Sequence, residues 1–279
     1  MKIKVTADST CDLSPELCRQ YDITMAPLSV VIDGQSFHDG VDVTPQDIFR
    51  AVDAGKTVKT TAVNQYEYEK IFRTQLETYD AVIHLTISRD MSSCYADACR
   101  AAEKVGHVHV VDSRNLSTGT GLLVLEAAEM AGEGMEPEAI AQKLRERVDK
   151  VCASFTVQDI GYLYRGGRCS GLEAMGARLL KIRPSIEVHS GKMSAGKKYR
   201  GSYELYLDHY IRDMLSDSEH IDDRRIFITH SPCDDGMTDY ARKAVMKYGS
   251  FQEILDTLAG GTVCTHCGPN TLGVLFMKR

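Results

Sequence analysis

The chain has 279 residues, 43% of them hydrophobic and 26% charged, the composition of a globular protein long enough for two domains. A formal charge of -6 argues against a general nucleic-acid binder, which carries a basic face. No apolar run approaches bilayer length, residues 1–8 alternate like a strand rather than a signal peptide, and nine cysteines in such a chain are expected to be free thiols in a cytoplasmic protein.

Residues 3–7 predict a strand, and Ser14-Pro15 opens a helix, because proline at the first helical position loses no needed N–H. Residues 27–32 form a second apolar run closed by an Asp33-Gly34 turn. Thr44-Pro45-Gln46-Asp47 repeats the cap-plus-proline signal, and Asn64 with Glu67 has the form of a capping box. Residues 81–87 and 107–111 are β-branched runs, each followed by polar residues and then a helical pattern. Residues 122–131 predict one helix, and Ile140, Leu144 and Val148 mark the stripe of another. Strands alternating with helices predict an N-terminal three-layer α/β/α domain with a mostly parallel sheet over residues 1–150. Ligands of such sheets gather beyond the carboxyl ends of the strands. Asp8-Ser9-Thr10, residues 88–92 and Asp112-Ser113 fall there.

The second half, residues 151–279, reads as a two-layer α/β domain with a mixed sheet. Residues 186–194 predict a hairpin about Ser190-Gly191, and Tyr203, Leu207, Tyr210, Ile211 and Met214 form a helical stripe. Residues 225–229 predict a strand, 238–248 a helix, and 261–265 and 272–277 closing strands.

The candidate chemistry is sparse in carboxylates. Asp8 and Asp12 stand too far apart for the DxD of aspartyl-phosphate enzymes, so an Asx-type turn is expected there. Ser117-Thr118-Gly119-Thr120-Gly121 lacks the spacing of a phosphate-binding loop. Cys264 and Cys267 form a CxxC with no second pair at zinc-site spacing, so no metal site is expected. Arg165-Gly166-Gly167-Arg168 reads either as an anion-binding turn, with free N–H groups beside a guanidinium, or as a plain surface turn. Arg165, Arg168, Arg178, Lys181 and Arg183 make a local basic patch, of which Arg178 and Lys181 read as a solvated face. His266, on a predicted strand, would point away from Cys267, and is expected to bond a carboxylate or to be a buried structural histidine. His230 reads as structural. A hydrolase or acyltransferase acting on lipid-like substrates, with Ser92 or a cysteine as nucleophile and His266 as base, is the alternative from a different class, and it lacks an orienting carboxylate.

Taken together, Asp8-Ser9-Thr10-Cys11-Asp12-Leu13, Pro27-Leu28-Ser29-Val30, Asp39-Gly40-Val41-Asp42, Thr60-Thr61, residues 88–95, Val111-Asp112-Ser113, Leu163-Tyr164-Arg165-Gly166-Gly167-Arg168 and Thr265-His266-Cys267-Gly268-Pro269 resemble the DegV family over nearly the full length. That family includes the fatty-acid-binding subunits of bacterial fatty acid kinase. The resemblance implies a two-domain α/β protein that holds one long-chain fatty acid as ligand and has no cofactor, no metal and no catalytic residue of its own. It implies that the carboxylate meets Thr60 or Thr61, Ser92 and His266, with Arg168 nearby to receive the phosphoryl form. The implied partners are an ATP-dependent kinase subunit that phosphorylates the bound lipid and, transiently, a membrane whose acyltransferases take the acyl phosphate into phospholipid synthesis. No nucleic acid is implied. Two departures stand out: Thr60-Thr61-Ala62-Val63 replaces the family's Thr-Ser-Gln-Pro, and Ser92-Ser93-Cys94-Tyr95 replaces Ser-Gly-Thr-Tyr. The hydroxyls survive in both.

Overall fold

The structure, a computed structural model, describes residues 1–168 and 182–279, and among these described residues the strands form three sheets. The first is parallel throughout, in the order β2 (Ile23–Ala26), β1 (Ile3–Asp8), β6 (Ala81–Thr86), β7 (Val108–Asp112). Helix α1 (Pro15–Gln20) follows β1, with the Ser14 side chain accepting the Leu17 N–H. Helices α3 (Gln65–Leu76) and α4 (Cys94–Val105) pack as a pair against the sheet, and α5 (Ser117–Gly132) and α6 (Pro137–Arg147) as another, giving three layers. Every residue of β6 is buried, because a central strand covered on both faces has no solvent side. Of its two polar residues, His84 and Thr86, His84 is met by the Thr6 hydroxyl at 2.8 Å and by the rings of Tyr68 and Phe72.

A small antiparallel sheet, β4 (Gln35–His38), β3 (Ser29–Ile32), β5 (Val58–Thr61), lies beside it, turned at Asp33-Gly34 as expected. It packs around Val30, Val43 and Ile48 with α2 (Pro45–Asp53), which Thr44 and Asp47 cap reciprocally.

The third sheet is mixed, in the order β10 (Lys192–Arg200), β9 (Ile182–His189), β8 (Val151–Thr156), β13 (Leu272–Lys278), β11 (Ile221–His230), β12 (Glu253–Leu258), with β11 and β12 the parallel pair. Helices α8 (Tyr203–Met214) and α9 (Met237–Tyr248) cover one face. The period of two is visible in the cores. Ile226, Ile228, Val274 and Phe276 face the helices, whereas Phe227, Leu275 and Met277 join the core shared with the parallel sheet. The sequence pattern missed β2, β4, β5, β8 and β12. The first three are four residues long, β12 is half-exposed, and β8, though buried over most of its six residues, mixes Ser154 and Thr156 with its apolar side chains.

Helix α5 joins the two halves. It packs on β1 and β6 and also on β8, β11 and β13, and its residues from Ser117 to Ala127 are all buried. It begins five residues before the expected start, and the Ser117-Thr118-Gly119-Thr120-Gly121 stretch is its first turns. The glycine there serves close packing: a Cβ on Gly119 would lie 2.1 Å from Asn115 Oδ1.

A second correction concerns residues 261–265, expected as a strand, which form most of helix α10 (Gly261–Cys267) after the short α7 (Gly161–Arg165) earlier in the chain. Locally, the β-branched Thr262, Val263 and Thr265 favour a strand. The helix forms because three successive N–H groups are taken by carboxylates from the other half of the chain: Gly260 donates to Asp12 at 2.8 Å, and Gly261 and Thr262 donate to Asp39 at 2.6 and 3.0 Å. Among the described residues, no helix is long and apolar enough to cross a membrane.

Candidate functional site

Four segments meet at the site. Strand β5 presents Thr60 and Thr61, held in register by β3, where Val30 and Ser29 are their partners. The turn after α7 presents Arg168. The loop after β6 presents Ser92, and α10 presents Thr262 and His266 on one face, four residues apart. The loop after β6 is anchored from beneath by Asp8, whose carboxylate accepts the Tyr68 hydroxyl at 2.5 Å and the Ile87 N–H at 2.9 Å. Asp8 therefore makes no capping bond to the 3-10 turn it opens; the expected Asx-type turn is replaced by these longer-range bonds.

Thr60, Thr61, Ser92, Arg168 and His266 all line one narrow cavity of about 60 Å³. His266 Nε2 lies 2.8 Å from Thr60 Oγ1, so its partner is a hydroxyl rather than the expected carboxylate. Its Nδ1 is buried without a hydrogen bond among the described residues and faces Gly166; a Cβ at that position would come within 2.0 Å of it. Glycine at 166 is thus a condition for the imidazole to sit where it does. Burial, aided by the neighbouring Arg168 charge, pushes the His266 pKa down to about 4, so the ring is neutral at physiological pH. Arg168 reaches across the mouth of the cavity, donating to the carbonyl oxygens of Gly166 at 2.9 Å and Met91 at 3.2 Å. Among the described residues it has no carboxylate partner. Its charge is therefore open to an anionic ligand.

Ser92 donates to Cys94 Sγ at 3.1 Å and accepts the Cys94 N–H at 3.3 Å. Its hydroxyl is directed to a thiol and not to an imidazole, and Cys94 itself is pushed up to about 12 by burial. Cys264 and Cys267 are buried on α10, the latter also raised to about 12 by burial. These are protonated thiols, which are poor nucleophiles. Among the described residues, no group of three or more metal-ligating side chains is close enough to hold an ion.

Away from these donors the cavity is apolar, walled by Leu28, Ile87, Leu116, Leu163, Met193 and Val263. It adjoins a second, smaller apolar cavity of about 20 Å³, and the two share Leu116, Val263 and Cys267 as a common wall. On the outer side, Thr60, Arg168 and His266 also border an open groove of about 490 Å³ lined by Lys56, Lys59 and Arg165. Arg165 lies over the Tyr162 ring at 4.5 Å and 3.7 Å from Asp159, so it belongs to the groove and not to the cavity. Of the expected basic patch, Arg183 reaches towards the Gln158 carbonyl at 3.5 Å, and Arg178 and Lys181 lie outside the described residues. His230 bonds the Ser231 carbonyl at 2.9 Å.

Sequence reasoning missed Thr262 because a strand at 261–265 would not have placed it on the face of His266. It also missed Asp12 and Asp39, whose role in capping α10 spans more than two hundred positions and leaves no local signal. Asp12, buried and also bonded by Ser117 at 2.5 Å, has its pKa raised by burial to about 7.

A family model described as an uncharacterised protein of the DegV family matches residues 2–279. A DegV domain-containing protein of Deinococcus radiodurans is 32% identical, with 98% of each chain covered. A protein of Thermotoga maritima named fatty acid-binding protein is 31% identical over the whole of both chains. Among solved structures, a DegV family protein from Thermus thermophilus, described for its fatty acid binding, superposes with a TM-score of 0.88 at 29% identity, covering 100% of both chains.

Proposed function

The chain belongs to the DegV family, and from that premise we propose that it binds one long-chain fatty acid, with the carboxylate at Thr60 or Thr61, Ser92 and His266, Arg168 nearby for the phosphoryl form, and the tail in the apolar cavities. The observation that carries this reading is a neutral imidazole–hydroxyl pair at the end of an apolar cavity, beside a guanidinium that has no carboxylate partner among the described residues. A carboxylate drawn into such a space needs donors, since an unpaired buried charge costs several kcal/mol. These residues supply them without competing negative charge. The tail contributes about 0.8 kcal/mol per buried CH₂, roughly 10 kcal/mol gross for a long chain before the entropy of association is subtracted.

The finer reading is that of a carrier subunit, with no catalytic residue of its own. A separate ATP-dependent kinase phosphorylates the carboxylate, Arg168 holds the phosphoryl form, and the acyl phosphate passes at a transient membrane contact to phospholipid synthesis in the cytoplasm. The groove of Lys56, Lys59 and Arg165 beside the head-group donors supports it, since an incoming phosphate donor is strongly anionic. Residues 1–150 and 151–279 act as the two domains between which the lipid lies.

Native mass spectrometry of protein purified from cells is expected to show an adduct of fatty-acid mass, and the delipidated protein to take up palmitate or oleate. Repeated absence of both would overturn the binding role. Arg168→Ala is expected to keep lipid uptake within a few-fold while phosphorylation by the kinase subunit falls at least tenfold; equal loss of both would remove Arg168 from the transfer step.

A further inference from the structure

We propose that the cavity holds a second polar station, formed by Thr10 and Thr262, that recognises a hydroxyl carried on the acyl chain close to its carboxyl end. This rests on the reading of the cavity as an acyl-chain site. The observation is a pair of unmet hydrogen bonds. Thr10 (0% exposed) and Thr262 (5% exposed) both line the cavity, and the Oγ1 of each is buried with no hydrogen-bond partner among the described residues. Buried hydroxyls are nearly always paired, so two orphans in the wall of one cavity call for a ligand atom.

Local structure explains why each is left over. Thr265, on the same helix, donates to the Gly261 carbonyl one turn back at 2.8 Å, the usual refuge of a helical threonine. Thr262 has no such option, because α10 begins at Gly261 and there is no helical carbonyl one turn behind it. In the turn after β1, Ser9 is engaged by the Leu28 N–H at 3.1 Å and by Asp39 at 3.3 Å, while the adjacent Thr10 hydroxyl has nothing.

The placement fits a particular class of chain. Thr262 precedes His266 by one helical turn, roughly 6 Å along α10, and Thr10 reaches the same cavity from the carboxyl end of β1. A lipid anchored at His266 and Thr60 passes this station within its first few carbons, before the shared wall of Leu116, Val263 and Cys267. A hydroxyl both donates and accepts, so one on the chain can serve both threonines at once. A methylene serves neither.

The test compares palmitate, β-hydroxypalmitate and ω-hydroxypalmitate on the delipidated full-length protein by competition binding. The wild type is expected to bind β-hydroxypalmitate at least as tightly as palmitate and ω-hydroxypalmitate roughly tenfold more weakly, its hydroxyl being stranded in apolar surroundings. Thr10→Val and Thr262→Val, checked for fold by thermal unfolding, should keep palmitate affinity and lose roughly tenfold for β-hydroxypalmitate. Thr10→Ser and Thr262→Ser, which retain the hydroxyl, should recover it. If the wild type rejects β-hydroxypalmitate as it rejects the ω isomer, or if the valine variants shift both ligands equally, water alone satisfies the two hydroxyls and the station does not exist. Failure of the wild type to bind palmitate is a distinct result that removes the acyl-chain reading and this inference with it.

Discussion

At the scale of single residues, the site turns on a histidine kept neutral. His266 has its pKa lowered to about 4, first by burial and then by Arg168, against an ordinary value near 6.5. A group depressed in this way favours the folded state fully above its unfolded pKa, and that contribution is lost as the pH falls from about 6.5 towards 4, a total of roughly 3 kcal/mol. A bound carboxylate reverses the balance, because a negative charge beside the ring favours protonation. Lowering the pH thus strains the empty protein more than the loaded one. The rise in Tm produced by saturating palmitate is therefore expected to be larger at pH 5.5 than at pH 7.5, and His266→Gln, which cannot titrate, should show the same rise at both. Thermal unfolding with and without ligand measures this, and a pH-independent shift in the wild type would mean that the imidazole does not face the carboxylate.

At the scale of elements, α10 is the piece whose position decides the site, and it is held by charge from outside itself. Asp39 takes the N–H groups of Gly261 and Thr262 in its two oxygens. Hydrogen bonds to a charged group contribute about 1.5–3 kcal/mol. Asp39→Ala should lower stability in urea by about 2 kcal/mol and weaken palmitate binding several-fold, through loss of the alignment of His266 with Thr60. Asp39→Asn, which keeps one acceptor, should fall between. A stability loss with unchanged palmitate affinity would show that packing alone places the helix. The same element marks the limit of what the sequence discloses. The strands at β1, β6 and β7 and the helices opened by Ser14, Thr44 and Asn64 were legible, because periodicity and capping are local properties. The grouping of Thr60, Thr61, Ser92, Arg168 and His266 came from resemblance, and no spacing in the chain implies it. The helicity of α10, the Thr60 partner of His266 and the orphaned Thr262 were hidden, since all depend on Asp12, Asp39 and β5, which only the folded chain brings near.

At the scale of the molecule, one helix serves two sheets. The faces of α5 are spent on β1 and β6 on one side and on β8, β11 and β13 on the other, so neither half has a complete core without it. At the end of its buried stretch, Glu126 accepts Arg147 at 2.6 Å and Arg224 at 2.9 Å, and beyond it Glu129 accepts Arg225 at 3.1 Å, which also holds Glu253 at 2.5 Å. Glu126 is nearly buried while its arginines are part-exposed. Solvent screens part of this network, and Glu126→Gln is expected to cost about 1–2 kcal/mol. The shared core predicts more than the size of that loss. Since the hydrophobic cluster runs unbroken from Val5 and Leu85 through Leu123 to Phe227 and Leu275, the two halves should unfold in a single transition, in the wild type and in Glu126→Gln alike. Palmitate at a hundredfold excess over its Kd should raise that whole transition by about 2.7 kcal/mol, and the near-ultraviolet signal should move together with the far-ultraviolet one. Two separable transitions, with the ligand moving only one of them, would show that the halves are independent and that the lipid belongs to one domain.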